Sequence, residues 1–294
     1  PVLYYNKTAF EKAGLDPNSP PTTWPELGEA AEKIIASGAA NCGFTTGWQS
    51  WVQLENFGAW HNVPFATEAN GFAGIDTELA FNSDLHKAHI GQLADWQGDK
   101  VFQYGGRRSD SAPLFYSGEC AMYMNSSAAY AGVRGNVTDF EFGVGLLPYW
   151  PQASGAPQNS IIGGATLWVL QGKPADDYAG VAKFFTYLSS PEVQAEWHQG
   201  TGYLPITNAA AELTASQGFY DANPGTDTSI KQMTNKAPTE NSKGLRLGNF
   251  VQIRDIINEE LEAIWSGDKT AEQGLDDAVK RGNELLRQFQ ADNS

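Results

Sequence analysis

Long apolar runs are absent from this sequence. Nothing in its 294 residues approaches the ~18–20 consecutive apolar residues that a membrane-spanning helix needs, which excludes an integral membrane protein of the helical kind. Cysteine is almost absent too. Cys42 and Cys120 allow one disulfide or none, too few for a disulfide scaffold or a zinc cluster. Positive charge is scarce: 19 Lys and Arg stand against 34 Asp and Glu, a net charge of -15 with a pI near 4.6. So acidic a surface repels phosphate backbones and anionic lipid at long range, and nucleic acid is not an expected partner. A short-range pocket for a small anion is untouched by that average field. Catalytic signatures are missing as well, with no Gly-Lys-Ser/Thr phosphate loop, no Gly-x-Ser-x-Gly elbow and no His-Glu-x-x-His. There is no initiator Met and no basic or apolar leader. The chain opens on Pro1-Val2-Leu3-Tyr4-Tyr5, a strand already under way, so a missing upstream segment is expected.

What is present can build a large core. The apolar fraction is 41%, with 9 Trp, 15 Phe and 11 Tyr, which excludes wholesale disorder. Helical periodicity alternates with short apolar runs, the pattern of an α/β protein. Thr23-Trp24-Pro25-Glu26 fits a capping box, followed by Leu27, Ala30, Ala31, Ile34 and Ile35 at helical spacing and a closing Gly38. Tyr178, Val181, Ala182, Phe185 and Leu188 mark a second helix, and Ser190-Pro191-Glu192 starts another. Two more stripes run through Ile253, Ile256, Ile257, Leu261 and Ile264, and through Leu275, Ala278, Val279, Gly282, Leu285 and Leu286. Strands are expected at Val2–Tyr5, Cys120–Met124, Phe142–Leu147 and Ala165–Leu170. Pro148–Asn159 and Asp221–Thr228 read as loops where the chain passes between domains.

His86 and His89 stand at a spacing a metal site can use, but no motif supplies a third ligand. Two half-exposed helix histidines are the expectation, with no metal and no cofactor. Four other features bear on binding. Trp48 and Trp51, after Gly47, are either core residues or a stacking wall for a polyol or a quaternary ammonium. Gly163-Gly164 ends an apolar run, as a bulge or as a place where a ligand reaches backbone N–H groups. Tyr203, in Gly202-Tyr203-Leu204-Pro205, is a core residue or a presented phenol. Arg254 borders an apolar helix stripe and needs an anion, either Asp255 or a nearby Glu in an ion pair, or a phosphate that fits its planar fork.

Leu3-Tyr4-Tyr5-Asn6-Lys7, Phe10-x-x-Ala13-Gly14-Leu15 and Pro20-Pro21-x-Thr23-Trp24 resemble the family 1 extracellular solute-binding proteins of ABC importers. Longer phrases are similar to the branch of that family that binds glycerol phosphates. They are Gly47-Trp48-Gln49-x-Trp51-x-Gln53-Leu54-Glu55-Asn56-Phe57, the run Ala156-Pro157-Gln158-Asn159-x-Ile161-Ile162-Gly163-Gly164-Ala165, Ala195-Glu196-Trp197-His198-Gln199, Thr201-Gly202-Tyr203-Leu204-Pro205-Ile206-Thr207 and Gly244-Leu245-Arg246-Leu247-Gly248-Asn249. The resemblance extends from Pro1 to about Arg287.

It implies a periplasmic-binding-protein-like, two-lobed clamshell (type II) that lacks its N-terminal segment. Residues 1–162 would be most of the C-terminal lobe, 163–217 a returning segment of the N-terminal lobe, and 218–294 helices of the C-terminal lobe. The implied protein is a periplasmic or extracellular monomer that delivers sn-glycerol-3-phosphate or a glycerophosphodiester to an ABC permease. Its implied contacts are Trp48 and Trp51 around the glycerol or head group, the Ser126 hydroxyl, the Gly164 N–H, the Tyr203 phenol and Arg254 on the phosphate. Three further family contacts lie upstream of Pro1. The alternatives are an oligosaccharide-binding protein of the same fold, in which Arg254 holds structure only, and a phosphodiesterase or glycosidase, for which no acid–base pair is placed.

Overall fold

The structure is a computed structural model and describes residues 1–294. Val2–Asn6 (β1), Cys42–Thr46 (β2), Cys120–Asn125 (β3) and Phe142–Gly145 (β4) form one sheet in the order β2-β3-β1-β4. β2 runs parallel to β3, and β1 is antiparallel to both of its neighbours. Cys42 stands opposite Cys120 and is bonded to it. Alternate side chains of β1 go to opposite faces. Leu3 and Tyr5 enter a large core with Phe44, Met122 and Met124, while Val2 and Tyr4 enter a smaller one with Phe115, Tyr123 and Val133. Because both faces are covered, β1 and β3 read as continuous apolar runs rather than alternating ones.

The helix Trp24–Ala36 starts on the expected capping box. Thr23 Oγ1 accepts from the Glu26 N–H at 3.3 Å, and Glu26 Oε2 accepts from the Thr23 N–H at 3.0 Å. Its buried face of Leu27, Ala30, Ala31 and Ile34 lies on the sheet. The helices Phe250–Trp265 and Ala271–Asn293 pack on each other and on Asp84–Gly98, burying Ile253, Ile257, Leu261, Ile264, Leu275, Ala278 and Leu286.

Three expectations need correction. Ala165–Leu170 forms no strand. Leu167, Val169 and Leu170 are exposed, and Trp168 is 86% exposed, because no partner strand lies beside this run. β2 went unread because Cys-Gly-Phe-Thr-Thr carries a glycine and no aliphatic run, while its pairing partner lies 78 residues away. The segment Phe142–Leu147 is strand only to Gly145. The helix Ala175–Leu188 forms where expected, yet it has no buried residue. Neither core includes any residue between 163 and 217.

The histidines are the third correction. His86 and His89 are fully buried rather than half-exposed, and His61 joins them around Phe57. His61 donates from Nδ1 to the Phe57 carbonyl (2.8 Å), so its Nε2 accepts from the Trp150 N–H (2.9 Å). His89 accepts the Trp150 indole N–H at Nδ1 (3.2 Å) and donates from Nε2 to Gln53 (3.1 Å). The His61 and His89 rings are therefore neutral with both nitrogens in use, while His86 bonds Ser83 Oγ through Nδ1 (2.7 Å) and leaves Nε2 buried without a partner. Burial pushes His61 down to about 4 and His86 to about 3, and holds His89 well below its ordinary value.

The sign of the pH effect follows from this. Below about pH 6.5 the unfolded chain takes up protons that the folded rings refuse. Stability is thus complete above that pH and falls by up to about 1.4 kcal/mol per pH unit for each histidine, until the folded values are reached. Denaturant melts from about pH 7 to about pH 4.5 should show this fall, and His61→Gln should make the slope shallower by about one histidine's share. An unchanged slope in that variant would remove His61 from the account.

Candidate functional site

The site forms where the parallel strands β2 and β3 end, the usual place for ligand contacts in an α/β sheet. After β2 the chain turns at Gly47, where a Cβ would stand 2.8 Å from the Arg108 carbonyl oxygen. Trp48 follows with a positive φ of 47°, a strained conformation for a large side chain. Its N–H donates to the Arg108 carbonyl (2.6 Å) and its indole N–H to Ser109 Oγ (3.2 Å). These bonds hold the ring upright, with 42% of the residue exposed. Gln49, behind it, accepts from the Trp265 indole at 2.7 Å and fixes the turn to the core.

Trp51–Asn56 is a π-helical turn, a geometry that recurs at functional sites. Asn56 supplies both halves of a clamp. Its Nδ2 donates to the Trp51 carbonyl (3.1 Å), and its Oδ1 accepts from the Ile161 N–H (3.0 Å). The clamp brings Gly163 onto Trp51, where a Cβ would lie 2.6 Å from the indole ring. Gly164, at φ 113°, comes next to the Tyr203 ring. Tyr203 follows Gly202, whose φ of 81° and contact with the Ser127 carbonyl leave no room for a side chain. His198, buried, donates from Nδ1 to the Tyr203 carbonyl (2.6 Å) and accepts from the Tyr220 hydroxyl (3.1 Å). Burial lowers its pKa, keeping it in the neutral form those two bonds require. At the end of β3, Ser126 accepts the Ala128 N–H on Oγ (3.2 Å), which leaves its hydroxyl proton to be donated.

Arg254 lies on the fifth residue of the helix Phe250–Trp265, one step round from the buried Ile253. Its guanidinium stacks over the Phe250 ring at 4.6 Å. Its anionic partner is neither Asp255 nor any other residue of its own helix. It is Glu55, 199 residues away, which accepts from Nε at 2.7 Å and from Nη2 at 2.6 Å. The Glu55 side chain is 1% exposed and that of Arg254 41%. Burial pushes the Glu55 carboxyl up, against the hydrogen bonds and charge of Arg254 that pull it down. Arg254 has five N–H donors, and two are occupied by Glu55.

Arg254 is bonded to Glu55, which shares its turn with Trp51; Gly163 lies against Trp51, Gly164 against the Tyr203 ring and Gly202 against the Ser127 carbonyl, and Trp48 is bonded to Ser109. Of the six residues expected at a ligand, Trp51, Gly164, Tyr203 and Arg254 belong to these pairings, and Trp48 and Ser126 follow the ends of β2 and β3. Glu55, Asn56, Ser109 and His198 were not read as functional. Only Glu55 carried a usable signal, since it falls four residues after Trp51.

The family model for the bacterial extracellular solute-binding proteins matches residues 1–227. The chain belongs to that family. Among the curated solute-binding proteins, it is 55% identical over 290 residues to the sn-glycerol-3-phosphate-binding periplasmic protein UgpB of Escherichia coli (strain K12). The match takes in 99% of this chain and 66% of UgpB, so the chain spans a little under two thirds of that relative. Among solved structures, UgpB from Mycobacterium tuberculosis in complex with glycerophosphocholine superposes with a TM-score of 0.78 at 22% identity, over 98% of this chain and 69% of that one. The cyclic α-maltosyl-1,6-maltose binding protein from Arthrobacter globiformis gives 0.76 at 24% identity, over 98% and 70%. Both likenesses establish the fold, that of the periplasmic ligand-binding proteins.

Gly202 supplies a test that needs no ligand. Gly202→Ala places a methyl group against a backbone carbonyl at a positive φ, and should destabilise the chain by about 1–3 kcal/mol. Denaturant unfolding checks this against Gly200→Ala, inside the helix Pro191–Thr201 with nothing within 4 Å of the added Cβ, which should stabilise the chain by about 0.5–1 kcal/mol.

Proposed function

We propose that this chain is the greater part of an extracytoplasmic substrate-binding component of an ABC importer. It binds sn-glycerol-3-phosphate or a glycerophosphodiester in a cleft between two lobes and delivers it to the membrane permease. The carrying observation is the half-exposed Arg254 fork, held on one edge by Glu55 and free on the other, with Glu55 on the same turn as Trp51, against which Gly163 is laid. The identity to UgpB of Escherichia coli supports the ligand class, and the bonded Cys42–Cys120 pair agrees with an oxidising compartment.

In this reading phosphate oxygens take charge-assisted bonds from Arg254 and neutral ones from the Gly164 N–H, the Ser126 hydroxyl and the Tyr203 phenol. The indoles of Trp48 and Trp51 cover the glycerol carbons, and can take a choline group by cation–π attraction. No bond is made or broken, so the chain acts as a carrier rather than an enzyme. Residues 163–217 belong to the second lobe, which accounts for their absence from both cores. Closure follows from the ligand touching both lobes, since only the closed state makes every contact.

A second reading, an oligosaccharide-binding protein, is favoured by one observation: Arg254 already has a carboxylate partner and can serve structure alone. Calorimetry separates the two. Arg254→Ala should weaken sn-glycerol-3-phosphate binding by at least about a hundredfold, the value of two charge-assisted bonds. Arg254→Lys, which keeps the charge without the fork, should recover part of the loss. Unchanged affinity in Arg254→Ala, or displacement of the phosphate ester by maltose or trehalose, would favour the sugar.

A further inference from the structure

The guanidinium of Arg254 carries one positive charge, and Glu55 opposes it with a buried negative one in the two-bond, edge-on geometry. Nε–H and one Nη2–H are taken. The second Nη2–H and one Nη1–H remain side by side along the end edge of the plane, spaced to grip two oxygens of one phosphate, while the other Nη1–H points back toward the side-chain stem. Glu55 thus stands behind the guanidinium as seen by anything bound to that edge. Arg107, which bonds Glu262 two turns further along the same helix, is spent on its carboxylate in the same way, through Nε at 2.7 Å and Nη2 at 2.6 Å.

We propose that Glu55 is the charge-selectivity residue of the site: it orients the Arg254 fork and, by cancelling most of its charge, keeps the preference for a doubly charged phosphate monoester over a singly charged diester shallow, so that one crevice accepts both. This rests on the phosphate-binding reading above. A bare guanidinium in a partly dried crevice attracts a dianion far more strongly than a monoanion, because the second charge gains the full interaction at low effective dielectric. With Glu55 behind it, that second charge meets a nearly neutral pair. The residue does this without touching ligand. It is a positioning residue, and its mark is a change in ligand preference rather than in affinity alone.

The test measures two ligands on three proteins at about pH 8, where a phosphate monoester, with its second pKa near 6, carries two charges. The probes are sn-glycerol-3-phosphate and glycerophosphoglycerol, a diester whose second alcohol is uncharged. Calorimetry on the wild-type chain, Glu55→Gln and Glu55→Asp yields the ratio of the two affinities for each. Glu55→Gln removes the charge and should shift that ratio about tenfold towards the monoester, whatever common loss the disordered fork inflicts on both ligands. Glu55→Asp keeps the charge while moving it, and should weaken both ligands with the ratio within about twofold of wild type. Comparing that ratio between wild type and variant cancels the other charges of the site, which all three proteins share.

A ratio unchanged in Glu55→Gln, or an equal shift in Glu55→Asp, overturns the proposal. Should the Gln variant not fold, Glu55→Met removes the charge on a stem of similar length and is held to the same tenfold shift. If neither uncharged variant folds while Glu55→Asp does, Glu55 is a structural anchor and the proposal fails. A wild-type chain that binds neither ester sinks the functional reading itself, a distinguishable result.

Discussion

A carboxylate buried to the depth of Glu55 stays ionised only if a cation is brought to it, and here the cation comes from the far end of the chain. That requirement couples the π-helical turn Trp51–Asn56 to the helix Phe250–Trp265. The π-helical turn cannot keep Glu55 inside unless the helix Phe250–Trp265 presents Arg254, and Arg254 cannot hold its orientation without the two carboxylate oxygens. The rest of the candidate site is built outward from this joint. Trp51 is set by the turn that carries Glu55, and Gly163 is laid on Trp51 by the Asn56 clamp. Tyr203 follows through Gly164 and the Gly202 contact with Ser127.

Backbone choices along these residues are set by tertiary contacts rather than by local preference. Trp48 is held at positive φ by its bond to the Arg108 carbonyl, and the turn after β2 is braced by Gln49 on Trp265. Glycine occupies the two points of closest approach, 163 and 202, where any side chain would displace an aromatic ring or a carbonyl. Neutral histidines serve as fixed donors and acceptors, His198 behind Tyr203 and His89 behind Gln53, and burial is what keeps them neutral.

Features that are local in the chain were legible in the sequence. The capping box at Thr23 needs only residues three apart, and the apolar stripes of Ile253–Ile264 and Leu275–Leu286 report the faces they bury. Features that depend on a partner were not. Ala165–Leu170 has strand composition and no strand beside it, whereas Cys42–Thr46 has poor composition and is made a strand by β3. His86 and His89 looked like surface residues because helical spacing alone cannot show that Phe57, Trp150 and Ser83 close over them. Of the six expected ligand positions, Trp48, Trp51, Gly164, Tyr203 and Arg254 stood out by residue type and Ser126 through the resemblance, whereas Glu55, Asn56 and His198 lay inside the family phrases without being read as supports. An ion pair spanning 199 residues leaves no spacing to read.

The cross-link between Cys42 and Cys120 ties β2 and β3 at the ends where they begin, while Trp48 and Ser126 leave from the ends where they finish. Anchorage and recognition are thereby set about a strand's length apart. The loops at the finishing ends can therefore change in sequence while the stapled ends keep the two strands in register.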